Sequence, residues 1–157
     1  MFLVFGGVVI AIIAGAALFQ KNIQRQNTSV EPAGLVVGKN AIYVAEQLPL
    51  KTVSVALVHL ASPGFVVVHE DNAGAPGKIL GQSDALGAGE IKNLPPIALS
   101  RSTKDGETLY VMLHFDDGDR VFDAAKDKPA LDAVAGEPVM MITVVSKDAL
   151  EPGAINP

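Results

Sequence analysis

Two stretches of the same design constrain this chain most: Pro63-Gly64-Phe65-Val66-Val67-Val68-His69-Glu70-Asp71 and Thr108-Leu109-Tyr110-Val111-Met112-Leu113-His114-Phe115-Asp116. Each is an apolar run rich in β-branched and aromatic residues, and each closes on a histidine beside acids. That composition fits a pleated, half-buried or buried strand. With residues 53–60 and 138–145 they supply the core of a β domain.

The rest of the chain reads as short strands between Gly, Pro, Asn and Asp clusters. Residues 35–37 and 41–44 are short strands. Residues 52–60 alternate with apolar side chains on both faces, which predicts one central strand. Ala61-Ser62-Pro63-Gly64 turns the chain, and residues 65–70 return antiparallel. A glycine-rich connection over 71–89 holds a short strand at 78–81, and Pro95-Pro96 predicts a bulged edge strand over 90–100. In 108–115, Leu109, Val111, Leu113 and Phe115 share one face, opposite Tyr110, Met112 and His114. Asp116-Asp117-Gly118-Asp119 predicts a tight hairpin turn with 120–123 as the return strand. A helical turn at 130–134 and a last strand at 138–146 follow, with 149–157 as a C-terminal tail. Regularly spaced short strands with little helix point to an all-β fold over residues 35–148. The expected form is an antiparallel two-sheet sandwich, immunoglobulin-like or cupredoxin-like.

Residues 2–19, FLVFGGVVIAIIAGAALF, carry no charge and no polar face. As a helix they would span roughly 27 Å, close to the hydrocarbon thickness of a bilayer. An uncleaved transmembrane helix, a signal anchor, is the expectation. The rival is a cleaved signal peptide with Ala14-Gly15-Ala16 at the cut. Gly7, Ala11 and Gly15 form a small-residue stripe suited to helix packing in lipid. Residues 20–34 are a polar linker. Lys21 and Arg25 follow the segment, which by the positive-inside rule favours a cytoplasmic C-terminal side.

Charge and composition exclude several functions. The net charge of −5 and the absence of any basic cluster argue against nucleic acid as a partner. With no cysteine, there is no disulfide, thiolate zinc site, thiol nucleophile or Cys-ligated blue-copper centre.

His69, Glu70, His114 and Asp116 are the residues suited to a transition metal, because imidazole and carboxylate bind zinc, copper or iron. Period two sets His69 and Glu70 on opposite faces, so a shared site needs a twisted strand end. The alternative is that these histidines satisfy their nitrogens within the fold, as expected for His59. Asp116, Asp117 and Asp119 lack the spacing of an EF-hand loop and read as a solvated turn. Gly74 to Ile79 departs from a phosphate-binding loop, with Asn72 where its first glycine belongs and Ile79 in place of Ser/Thr. Gly81 to Ala85 lacks the last glycine of a nucleophile elbow. No catalytic or organic-cofactor-binding residue emerges, and an enzyme is not expected.

The segments GFVVVHED, ILGQSDALGAGEIKNL and TLYVMLHFDDGD, with the later Lys-Pro and Gly-Glu-Pro-Val steps, resemble an uncharacterised family of β-sandwich domains in archaeal and bacterial envelope proteins. The resemblance covers about residues 50–147, with His69, Glu70, His114 and Asp116 at its hallmark positions. It implies a fold and an extracytoplasmic location rather than a reaction. The leading expectation is therefore a single-pass, membrane-anchored envelope module with a structural, adhesive or protein-binding role, partnered by another protein or its own copies. One alternative is a cupredoxin-like metal-binding domain using His69 and His114 with a nearby acid or Met112. Another is a pilin-like filament subunit with the apolar helix in the fibre core.

Overall fold

In the computed structural model, the described residues are 39–133 and 135–150. They form β1 (Ala41–Tyr43), β2 (Thr52–Val53), β3 (Leu57–Leu60), β4 (Gly64–Asp71), β5 (Pro76–Gln82), β6 (Gly89–Lys92), β7 (Ile97–Ala98), β8 (Thr108–Phe115) and β9 (Met140–Val144). The strands make three antiparallel sheets, ordered β1-β3-β6, β2-β7 and β5-β4-β8-β9. The described residues are thus all-β, and no helix among them is long and apolar enough to cross a membrane. The segment 2–19, its Gly7-Ala11-Gly15 stripe, the linker 20–34 and the strand expected at 35–37 lie outside the described residues.

One apolar cluster joins the sheets. Val66 and Val68 of β4 and Leu109, Val111 and Leu113 of β8 pack with Val58 and Leu60 of β3, Val53 of β2 and Ile97 of β7. The other face of the β4–β8 pair is buried as well: Phe65, Val67, His69, Tyr110, Met112 and His114 are all nearly inaccessible. Burial on both faces explains why these two strands read as continuous apolar runs rather than as alternating ones. Gly64, at the start of β4, allows the tightest approach. A Cβ there would lie 2.0 Å from the carbonyl oxygen of His114.

Four expected elements differ from those observed. Residues 52–60 are two strands in different sheets, because the Gln47 side chain replaces the ladder at the break. Its Oε1 accepts from the Ser54 N–H at 2.9 Å, and its Nε2 donates to the Ser54 carbonyl at 3.2 Å. The Pro95-Pro96 step separates β6 from β7 rather than bulging a single edge strand, since neither proline has a donor for a ladder. Residues 120–123 form no return strand; carboxylates, rather than a neighbouring strand, take the N–H groups of Arg120, Val121 and Asp123. At 130–131 the chain makes bridging backbone contacts, Leu131 with Pro138, instead of starting a helical turn. Ala130 hydrogen-bonds in both directions, donating to Leu113 of β8 and accepting from Val139 just before β9, each at 2.8 Å.

Candidate functional site

The register of β4 and β8 sets His69 opposite Tyr110 and His114 opposite Phe65. Both histidines therefore project from the same sheet face, with Val67 and Met112 paired midway between them. Irregular register on either side of His69, where β4 pairs with β5, marks a bulged strand end; bulges bend a strand and re-aim its side chains. The two imidazoles lean towards each other until their centroids are 5.9 Å apart, with ring planes 21° from parallel. His69 is 9% exposed and His114 5%.

Each ring is pinned through Nδ1. His69 Nδ1 donates to the Gly77 carbonyl and His114 Nδ1 to the Asp127 carbonyl, both at 2.9 Å. A carbonyl can only accept, so Nδ1 carries the proton and Nε2 of the neutral ring keeps a lone pair. Gly77 lies on β5, flanking β4 on the side away from β8. Asp127 precedes residues 128–130, which flank β8 on the side away from β4. Both Nε2 atoms are buried without a hydrogen-bond partner. Burying an unpaired polar group costs about 1–3 kcal/mol, so two side by side require an explanation. Burial pushes the His114 pKa below its ordinary value, and the adjacent His69 lowers it further, against the opposing hydrogen bond to Asp127.

The loop after β8 covers this face. Phe122 packs edge-on against Phe65 at 5.4 Å and against His114 at 5.7 Å between ring centroids. The loop is held by its own carboxylates. Asp127 Oδ1 accepts from the Asp117 N–H at 2.9 Å, and its Oδ2 accepts from the Asp123 N–H at 2.7 Å. Asp116 accepts from the Arg120 N–H at 2.9 Å and Asp119 from the Val121 N–H at 2.8 Å. Asp116, Asp117 and Asp127 bring carboxylate oxygens within 4.8 Å of one another. Because Asp116 and Asp127 each already accept a loop N–H, the cluster acts as a set of caps for a segment with no ladder.

The four residues singled out for metal thus separate. His69 and His114 come together. Glu70 projects from the opposite face of β4, where Arg101 bridges it at 2.8 Å and Glu107 at 2.5 Å. That bridge holds the Glu107 carboxyl below its ordinary range. Asp116 serves the loop. His59 Nδ1 bonds to the Lys39 carbonyl at 2.9 Å. In the stretch compared with a nucleophile elbow, the Ser83 hydroxyl donates to the Asp84 carbonyl at 2.8 Å and accepts from the Val66 N–H at 3.0 Å, a strand-bridging role. Surface depressions of about 450 Å³ beside Arg101 and Glu107 and about 300 Å³ between Ser83 and Pro96 do not include the histidine pair. Sequence reasoning missed Phe122 and Asp127. The available signal was an aromatic inside the otherwise polar run DDGDRVFDAAKDK.

The arrangement defines an antiparallel all-β domain with a buried, lone-pair-bearing histidine pair on one sheet face. The sequence model described as Domain of unknown function (DUF7282) matches residues 41–146, and the chain belongs to that family. No curated protein and no solved structure matches it.

Proposed function

We propose that this chain is a non-catalytic metal-binding domain, tethered to the membrane by residues 2–19 and presented at the cell envelope. The carrying observation is the pair of buried, unpartnered Nε2 atoms on rings whose Nδ1 edges are fixed by backbone carbonyls. Metal-ligating histidines commonly have this second hydrogen bond, which sets the tautomer and the ring orientation. The two anchors lie on opposite outer flanks of the β4–β8 pair, and the near-parallel rings they hold stand next to each other between those flanks. Two imidazoles each held ~2.0–2.1 Å from one ion through nitrogen have their centres roughly 5–6 Å apart, the larger value at a wide angle at the ion, and the observed separation is 5.9 Å. The apolar cluster shared by β1-β3-β6 and β5-β4-β8-β9 supports a two-sheet sandwich, in which such a site sits on the outer face of one sheet.

The test is metal content. Full-length protein in detergent, stripped with chelator and reconstituted, is expected to retain one ion per chain. The His69→Phe and His114→Phe variants are expected to retain none. Folded wild-type protein that holds no ion would remove this reading. Protease treatment of intact cells tests the location, because an outward domain is shaved and an inward one survives.

A second reading, a structural or adhesive module that binds protein, draws on one observation. Met140, Ile142 and Val144 present an exposed apolar row along β9. A filament role would rest on residues 2–19 packing in a fibre, and imaging of the native envelope tests it.

A further inference from the structure

We infer that the ion held by His69 and His114 is a soft monovalent cation, Cu(I), with the Met112 thioether as third ligand; this rests on the metal-binding reading above. The register fixes the donor set. Met112 lies on β8 two residues before His114, on the same face, directly across from Val67 and so between the two imidazoles along the seam. It is 5% exposed, its neighbours on that face of the sheet are Phe65, Val67 and Tyr110, and Phe122 covers the adjoining Phe65 and His114. The donors are then two neutral nitrogens and one neutral sulfur.

Charge decides which ion suits them. Glu70 is turned to the other face and engaged by Arg101, and Asp116 and Asp127 accept loop N–H groups. A divalent ion would keep its full charge on these neutral donors in a poorly hydrated site, because the buried Asp127 carboxylate beside His114 is already engaged by the loop. Desolvation cost rises with the square of charge, so a dication is roughly four times as expensive to bury as a monovalent ion. Thioether sulfur also selects Cu(I) over harder divalent ions, and imidazole accommodates copper readily. Zinc would be expected to draw in a carboxylate or a thiolate; the chain has no cysteine, and among the described residues no carboxylate groups with the histidine pair.

The experiment titrates full-length protein in detergent, under anaerobic reducing conditions, with Cu(I) against a competing chromogenic chelator. Ag(I) serves as an air-stable probe, and Zn(II) is run in parallel. One Cu(I) per chain should be retained at chelator concentrations that strip Zn(II) completely. Met112→Leu conserves core volume and should weaken Cu(I) binding by more than the roughly 10–100-fold that an outer-shell change costs. X-ray absorption should show a sulfur neighbour of copper in the wild type and none in Met112→Leu. Zn(II) retained in preference to Cu(I), or Met112→Leu binding Cu(I) as tightly as wild type, overturns this inference and leaves a histidine metal site standing. Failure to retain Cu(I), Ag(I) or Zn(II) removes both.

Discussion

Asp127 holds His114 and the loop above it with different atoms of one residue. Its carbonyl accepts from His114 Nδ1 at 2.9 Å, while its carboxylate accepts from the N–H groups of Asp117 and Asp123. The position of the ring and the closure of the loop that brings Phe122 over it are therefore coupled. Asp127 is 1% exposed, so its carboxylate is a buried charge whose compensation comes from these donors.

Removing that carboxylate should loosen both. Hydrogen bonds to a charged group are worth about 1.5–3 kcal/mol each. Asp127→Ala is expected to lower unfolding free energy by roughly 3 kcal/mol, and Asp127→Asn, whose amide oxygen replaces only one acceptor, by about half that. Urea unfolding followed by circular dichroism measures both. Equal stability of Asp127→Ala and wild type would show that the loop is held by packing alone.

The depressed pKa of His114 has a definite sign for stability. The folded state disfavours the proton relative to the unfolded chain, whose histidine titrates near 6.5. The contribution is fully present above that value and is lost as pH falls through the lower folded value. Chelator-treated protein should have a flat melting temperature above about pH 7 and a falling one below 6.5. His114→Gln should flatten this limb. The salt-bridged Glu107 acts in a separate window, because its depressed carboxyl loses its contribution only below its ordinary value of 4.5. A melting profile identical in wild type and His114→Gln between pH 5 and 7 would contradict the assignment.

The strands that carry the site were legible in the residue pattern, and the geometry of the site was not. Phe65 to Glu70 and Thr108 to Phe115 declare themselves because valine, leucine and aromatic residues suit a strand buried on both faces. His69 and His114 accordingly appear near strand ends, as expected. Their meeting depends on register, which sets Phe65 across from His114 and Tyr110 across from His69. Register is a long-range property that no local pattern encodes. Two of the errors share one cause, a side chain competing with the backbone ladder. Gln47 interrupts the strand expected through Ser54, and Asp116, Asp119 and Asp127 take three of the N–H groups of the return strand expected at 120–123. Such contacts join residues up to seven positions apart and leave no periodicity. Asp127 looks in sequence like any other loop aspartate.

Gly64 tests the close approach beneath the site. An added Cβ meets the His114 carbonyl oxygen at 2.0 Å, and Gly81 offers a matched control with its clash 2.2 Å from the Ala98 carbonyl, on β7. Both obstacles are backbone, so neither yields cheaply. Each alanine variant should lose about 1–3 kcal/mol, the usual cost of overpacking. Gly64→Ala should also weaken ion retention, because it displaces the backbone that carries His114. Gly81→Ala should leave retention unchanged. Equal loss of the ion in both variants would attribute it to general destabilisation.

Phe65 lies at the junction of sheet and loop. It is 2% exposed and pairs across the strands with His114, with Phe122 against its ring. Phe65→Ala is expected to cost about 3–5 kcal/mol, combining lost transfer energy with the cavity left behind. Phe65→Leu fills most of that volume and should cost substantially less. The two variants also separate cohesion from site architecture. Phe122 loses its edge-on partner in both, so a roof that depends on ring-to-ring contact should open in both and speed ion exchange even in the more stable leucine variant. Stopped-flow transfer of the bound ion to excess chelator reads this directly. An exchange rate in Phe65→Leu equal to that of wild type would mean that the caps on the loop backbone hold the roof without the aromatic contact.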